Sequence, residues 1–334
     1  MAKKKMSGGS ARTRRGPERP LSTGRTQGAA RPKPRGSRFD TERFNRLVER
    51  MVEDRSFESQ EEFNQHLEEA VGGKNLDEML AEAPADNPVE QAQELAFQSM
   101  EEQDPRRALA LARKALEIDP DCVDARRVEI LVAATDPDGL LAALRELLEK
   151  GRESLGPGFF EENRGSFWGL VKTRPYMRTL ELLARLFLSL GREGEAAEVM
   201  NEMIELNSHD NQGVRYPLLG YLLGQGDVLA GRTLLNRFAD EDTVVFAWAR
   251  AIERMLSGDF DAAAAGMEKA VYRNPHVVYL MGGIEETPGE KDRETWPEEI
   301  REAQYCIEDL GPVWERQPDV LPWIMSEMSR LTKS

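Results

Sequence analysis

The run LNSHDNQGVRY, residues 206–216, sets His209, Asp210, Asn211, Gln212, Arg215 and Tyr216 within one short polar stretch. Residues of these types can move protons: a histidine acts as general base, an aspartate orients it, and an arginine or tyrosine steadies a developing anion. Such chemistry needs a nucleophile or carboxylate brought to the histidine, and no nucleophile motif or partner pair stands out. His66 and His276 are far from His209 in sequence, which leaves no metal-ligand spacing. His276, in NPHV, follows a turn proline and reads as a residue that fixes a turn. No glycine-rich phosphate loop follows a strand, so no cofactor and no metal are expected. The polar run therefore has a second reading, as the turn between two helices.

Charge divides the chain unevenly. Residues 1–38 hold twelve Lys/Arg against the single Glu18, whereas the whole chain carries −15. That first segment is rich in Gly, Pro and Ser and nearly free of apolar residues, so nothing in it offsets ordering entropy, and a disordered basic arm is expected. It lacks the apolar core of a secretory signal and the amphipathic helix of an organellar presequence. The arm suits nonspecific contact with nucleic acid phosphates, a solubilising role, or contact with the acidic remainder of its own chain; lacking interleaved aromatics, it does not suit sequence-specific RNA reading. Cys122 and Cys306 are the only cysteines, which argues against a disulfide framework and for a reducing, cytoplasmic compartment. No apolar run is long enough to span a membrane, and no membrane partner is expected.

The elements that must position the polar run are helices. Phe44, Leu47, Val48 and Met51 fall at i, i+3, i+4 and i+7, which predicts a helical lead-in over 39–86. Asn87, Pro88 and Glu90 then signal a helix start, taken as the opening of a repeat domain over 87–283. Ala108, Ala112, Ala115 and Pro120 stand at offsets that recur at Ala263, Met267, Ala270 and Pro275, and again at Ala196, Met200, Met203 and Ser208. A weaker copy runs through Ala230, Leu234, Arg237 and Asp242, and the last three copies lie ~34 residues apart. That is the period of the tetratricopeptide helix pair. A degenerate unit falls between Cys122 and Gly151, and an insertion rich in Gly and aromatics occupies 151–176. The expected fold is all-α, a tetratricopeptide-type solenoid. In that frame LNSHDN closes one helix pair, Asp210 or Asn211 caps the next helix, and His209 is an exposed turn residue.

At FFEENRGSFWGLVKTRPYMR, LNSHDNQGVRY and NPHVVYLMG the chain resembles tetratricopeptide proteins related to the suppressor-of-tumorigenicity-seven family and their bacterial relatives. Trp168, Thr173 to Arg178, Asp210 to Tyr216 and Asn274 to Val277 carry the resemblance, over residues 90–285. Ser208 and His209 stand where that family usually has Pro-Asn, VVYLMG lacks its proline, and the stretch beyond Gly283 departs altogether. The resemblance implies a helical-repeat scaffold and no established chemistry.

The first helix of each pair in such a repeat faces a concave groove where peptides usually lie. By register, Arg178, Glu181 and Arg185 share a face of one first helix, Gln212, Arg215 and Leu219 of the next, and Trp248, Ile252 and Met255 of the third. With Arg174 they make a basic floor followed by an aromatic and apolar section, suited to a peptide with an acidic and an apolar element. The plainer alternative is that the arginines pair with Glu181, Glu198 or Glu202 and hold the repeats together. The lysine-asparagine clamp that some relatives of this fold use for chaperone C-termini is not visible. Over 284–334, a helix from Pro297 and Glu298 to Leu310 and a last helix presenting Leu321, Ile324, Met325, Met328 and Leu331 are expected to cap the repeats. The reading is a non-enzymatic scaffold or adaptor for a protein or peptide partner. Its alternative is a nucleic-acid or ribosome-associated factor, with the arm on RNA and the repeats recruiting protein.

Overall fold

Alanine sets how closely the helices pair. The computed structural model describes residues 39–52, 57–82, 87–286 and 295–331; the basic arm expected over 1–38 lies outside them. Three helices lead in: α1 (Asp40–Val52), α2 (Gln60–Val71) and α3 (Leu76–Glu82). Five helix pairs follow: α4 (Pro88–Glu101) with α5 (Pro105–Ile118), α6 (Val123–Ala133) with α7 (Pro137–Leu155), and, after α8 (Pro157–Glu162), α9 (Arg174–Ser189) with α10 (Glu193–Leu206). The last two are α11 (Arg215–Gly224) with α12 (Val228–Arg237) and α13 (Val244–Leu256) with α14 (Phe260–Arg273). Between α4 and α5, Ala92 and Ala96 meet Ala108, Ala112 and Ala115, all buried, and Ser99 Oγ donates to the Ala108 carbonyl at 2.8 Å. Only methyl groups separate the two backbones.

Each second helix packs on its own first helix and on the first helix of the next pair: α5 on α6, α7 on α9, α10 on α11, α12 on α13. That nearest-neighbour stacking is consistent with an all-α helical repeat. Among the described residues there is no strand, only an isolated bridge between Ser166 and Asn207. The stretch DTVVFAWARAI, the most β-like in the sequence, begins α13 instead. No helix among the described residues is long and apolar enough to cross a membrane.

The structure adds detail to four sequence expectations. The start at Asn87 is a capped helix, with Asn87 Oδ1 accepting from the Glu90 N–H at 2.9 Å, and Phe39–Ser334 forms one compact unit. In the weakest repeat copy the buried small residue is Gly231 rather than the half-buried Ala230, one position along, and a Cβ at Gly231 would lie 2.7 Å from the Leu223 side chain of α11. The insertion at 151–176 is ordered by its aromatics: Phe160, Phe167 and Tyr176 cluster at centroid separations of 4.9–6.3 Å beneath α9. Two 3-10 turns, Phe167–Gly169 and Val171–Thr173, then lead into α9.

The fourth concerns the C-terminus. Beyond α15 (His276–Met281), α16 (Glu298–Asp309), α17 (Gly311–Arg316) and α18 (Val320–Leu331) complete the fold. On α18 the buried residues are Val320 and Ile324, while Leu321 and Met325 are exposed. Ile324 packs as expected, and Met328 and Leu331 pack in part against the main core, while Leu321 and Met325 face outward and Val320 takes their place. Nor do these helices only cover the end of the array: α16 and α17 fold back on α11. Gly220 and Gly224 permit the approach, since a Cβ at Gly220 would overlap the Asp309 carbonyl and one at Gly224 would lie 2.7 Å from Pro312.

The run at 206–216 is the turn between α10 and α11. Asp210 adopts φ 46°, a left-handed conformation that aspartate tolerates better than most residues, and its carboxylate accepts from the N–H groups of Val214 at 3.0 Å and Arg215 at 2.8 Å. It caps α11 from upstream, although Val214 occupies the cap position itself. His209 is exposed, as expected for a turn residue.

Candidate protein-binding groove

On α4, Glu90, Glu94, Phe97 and Glu101 recur at i, i+4, i+7 and i+11, a stripe distinct from the Ala92 and Ala96 face that holds α5. Beside it, α6 offers Asp124 and Arg127, and α9 offers Arg174 and Arg178 one turn apart. These first-helix faces are covered by α1. Arg178 lies at the centre: its Nη1 and Nη2 donate to Glu42 of α1 at 2.7 and 3.2 Å, and its Nε donates to Asp124 at 3.0 Å, with a second, shorter bond from Nη2. Arg174 Nε donates to the Trp168 carbonyl at 2.9 Å, and its Nη1 stands 3.7 Å from Glu42.

Ion pairs continue along α1. Arg43 forks onto Glu94 at 2.9 and 3.0 Å, and Arg46 donates to Glu90 at 2.8 Å and to the Val171 carbonyl at 3.3 Å. The insertion therefore supplies one wall of the groove. Phe39 stacks on Phe97 at 4.8 Å, and the Arg178 guanidinium lies 5.6 Å from the Phe39 ring. The covering face of α1 consists of Glu42, Arg43, Arg46 and Leu47, all buried, whereas Phe44, Val48 and Met51 are only half-buried. Of the periodic apolar residues Phe44, Leu47, Val48 and Met51, only Leu47 is fully buried. The reason is the floor, which is charged and selects the charged face.

Asp124 is completely buried and also accepts from Gln93 Nε2 at 2.9 Å and Arg127 Nη2 at 3.0 Å. Burial by itself would raise its carboxyl; Arg178 and Arg127 outweigh that and hold it well below the usual carboxylate range. Burial lowers the Arg174 guanidinium, Glu42 opposes this, and Arg178 and Arg46 add to it. Without α1, Arg127, Arg174 and Arg178 would face Asp124 alone. At this end the floor then carries a surplus of positive charge and calls for an acid, while Glu90, Glu94 and Glu101 at the α4 end call for bases.

The residues anticipated as groove-lining divide into three fates. Arg174 and Arg178 do lie on the first-helix face. Arg185 is 72% exposed and pairs with Glu181 at 2.8 Å, so it belongs to the open surface. Gln212 donates to Glu181 at 2.7 Å and to the Met177 carbonyl at 3.2 Å, tying the α10–α11 turn to α9. Arg215 donates to Asp210, Glu241 and the Tyr216 hydroxyl and lies 5.2 Å from the Phe238 ring, so it fastens two turns together. Trp248 and Ile252 are 0% exposed and Met255 is buried, all three within the main apolar core. Their side chains offer no surface to a ligand, because α13 is enclosed by α11, α12, α14 and α16. Sequence reasoning passed over Glu42, Glu90, Glu94 and Asp124. The signal available was a pair of complementary stripes, Arg43, Arg46 and Arg50 against Glu90, Glu94 and Glu101.

His276, the first residue of α15, has its Nδ1 2.6 Å from Glu285. Burial pushes the Cys122 thiol up to about 11 and Cys306 well above its ordinary value, so neither is poised as a thiolate nucleophile. The described helices are consistent with an all-α helical repeat whose first-helix face is held by ion pairs. Neither a family model nor a curated protein matches the sequence.

Proposed function

We propose that the chain is a non-enzymatic protein-binding scaffold, a tetratricopeptide-type repeat that holds a partner segment against α4, α6 and α9. One observation carries this reading: that face already holds a helix through buried aromatic and charge-paired contacts, so its geometry suits a helical guest. The five helix pairs, each closed by a three-residue turn, support the repeat type, and the TRPYMR motif falls at the start of α9. The acidic and apolar elements sought in a groove ligand are present in Glu42 of α1 and in Phe39 immediately before it. A second reading rests on the charge of residues 1–38, which favours contact with nucleic acid phosphates. Affinity capture with the full chain beside a form lacking residues 1–38, with and without nuclease, separates the two. Protein partners that survive both treatments support the scaffold. Recovery that depends wholly on residues 1–38 and on RNA supports the second reading and removes the first.

A further inference from the structure

We infer that α1 is an intramolecular stand-in for the partner, and that the partner is an amphipathic helix presenting an aromatic residue, a glutamate three positions on, and arginines at the fourth and seventh. The inference rests on the scaffold reading above and adds both the chemistry of the guest and its regulation. The spacing is that of Phe39, Glu42, Arg43 and Arg46, each of which meets its own receptor: Phe97, Arg178, Glu94 and Glu90.

Three features separate α1 from a fixed part of the core. First, its interface is largely ionic, with only Phe39 and Leu47 as buried apolar residues, and such pairs specify register more than they add net stability. Second, the buried acid of the floor keeps its own partners without α1, because Asp124 holds Arg127, Arg178 and Gln93. Third, neither of the two main apolar clusters includes a residue of α1. A helix held in this way resembles a bound ligand on a tether. The tether raises its effective concentration to the order of mM, so a partner in solution must bind the open groove tightly to displace it.

The test uses a fluorescein-labelled peptide of residues 39–52 and two full-length chains, wild type and Glu42→Lys. The reversal sets a lysine against Arg174 and Arg178 and undocks α1 while leaving the floor intact; unchanged helicity and melting of the remainder certify the fold. Saturable binding to Glu42→Lys, at least tenfold weaker binding to wild type, and no binding of the peptide carrying the same Glu42→Lys change are the expected results. Arg43→Glu, which undocks α1 through Glu94 instead, should reproduce the gain. Equal binding to wild type and variants would leave the groove as a helix site but overturn α1 as its blocker. Binding to none of them would overturn both the inference and the groove on which it rests. A wild-type chain that elutes as a dimer and becomes monomeric in Glu42→Lys would make a second copy the occupant and overturn the intramolecular assignment.

Discussion

Asp124 meets Gln93, Arg127 and Arg178 with no exposed surface of its own, so its removal strands a buried guanidinium. Breaking such a pair costs about 3–5 kcal/mol, and Asp124→Ala should lower stability by that amount in urea unfolding at pH 7. A cost below about 1 kcal/mol would mean that Glu42 alone satisfies Arg178. The pH dependence follows from the depressed carboxyl. Its contribution is fully present above the unfolded value near 4 and is lost as pH falls through the lower folded value. Acidification from pH 7 to pH 5 should therefore leave the gap between wild type and Asp124→Ala unchanged, and the gap should narrow only below about pH 4. Arg178 could be picked out from the sequence as a groove cation, by its register on a first helix. Asp124 could not, because an acid in the first turn of α6 reads equally well as a favourable helix-dipole charge.

Gly220 and Gly224, one turn apart on α11, decide whether α16 and α17 can fold back. Gly220→Ala should cost about 1–3 kcal/mol or more, since the Asp309 carbonyl is backbone and cannot step aside as a flexible side chain would. Hydrogen exchange should rise over 298–316, and Trp314, whose indole N–H donates to the Ile307 carbonyl at 3.0 Å, should report the loosening by fluorescence. Unaltered exchange there would refute close packing as the role of the glycine. At the same junction Asp309 is raised to about 6, by burial first and by Glu308 second. A raised carboxyl opposes folding when charged, so its stabilising effect is full below the unfolded value near 4 and disappears as pH rises to about 6. Asp309→Asn should accordingly stabilise the protein by about 2 kcal/mol at pH 7, with the gain vanishing by pH 4. Chemical denaturation of both forms at the two pH values checks the sign. The helix start at Asn87 was legible because capping is local; the fold-back was not, because a glycine in a helix shows no sign of what approaches it.

Along the whole molecule, the first-helix faces are covered from both ends, by α1 over α4, α6 and α9 and by α16 and α17 over α11. The two covers differ in kind. α1 is held by ion pairs and should respond to salt, whereas α17 is held by close backbone packing and should not. Raising ionic strength from 0.1 to 1 M shortens the screening length from about 10 to about 3 Å; buried pairs are screened less than exposed ones, so amide exchange over 40–52 should accelerate modestly but measurably while α9 to α14 stay protected. Uniform acceleration, or none at 40–52, would contradict an electrostatic seat for α1. A cavity of about 640 Å³ opens between α5, α6 and α7, where the apolar core divides in two. The sequence marks that place as the degenerate unit between Cys122 and Gly151. Partial unfolding is expected to begin at this seam, which site-resolved exchange at 123–150 would reveal first.

Helix positions, the pairing of second helices with first, and the turn at His209 were already determined by the sequence, because each rests on short-range physics: a 3.6-residue period, caps, and small residues at fixed offsets. What covers the groove was decided only in three dimensions. Glu42 and Arg178 are 136 positions apart, and with 45 Lys/Arg and 60 Asp/Glu in the chain, charge complementarity alone allows far too many pairings to choose among. Tertiary packing chose, by bringing α1 to a floor where Asp124 was already committed to Arg178 and a second carboxylate was still wanted. The same enclosure buried Trp248 and Ile252, whose register on α13 had suggested a ligand face. A helix with apolar residues on several sides does not say which side is solvent; its neighbours do.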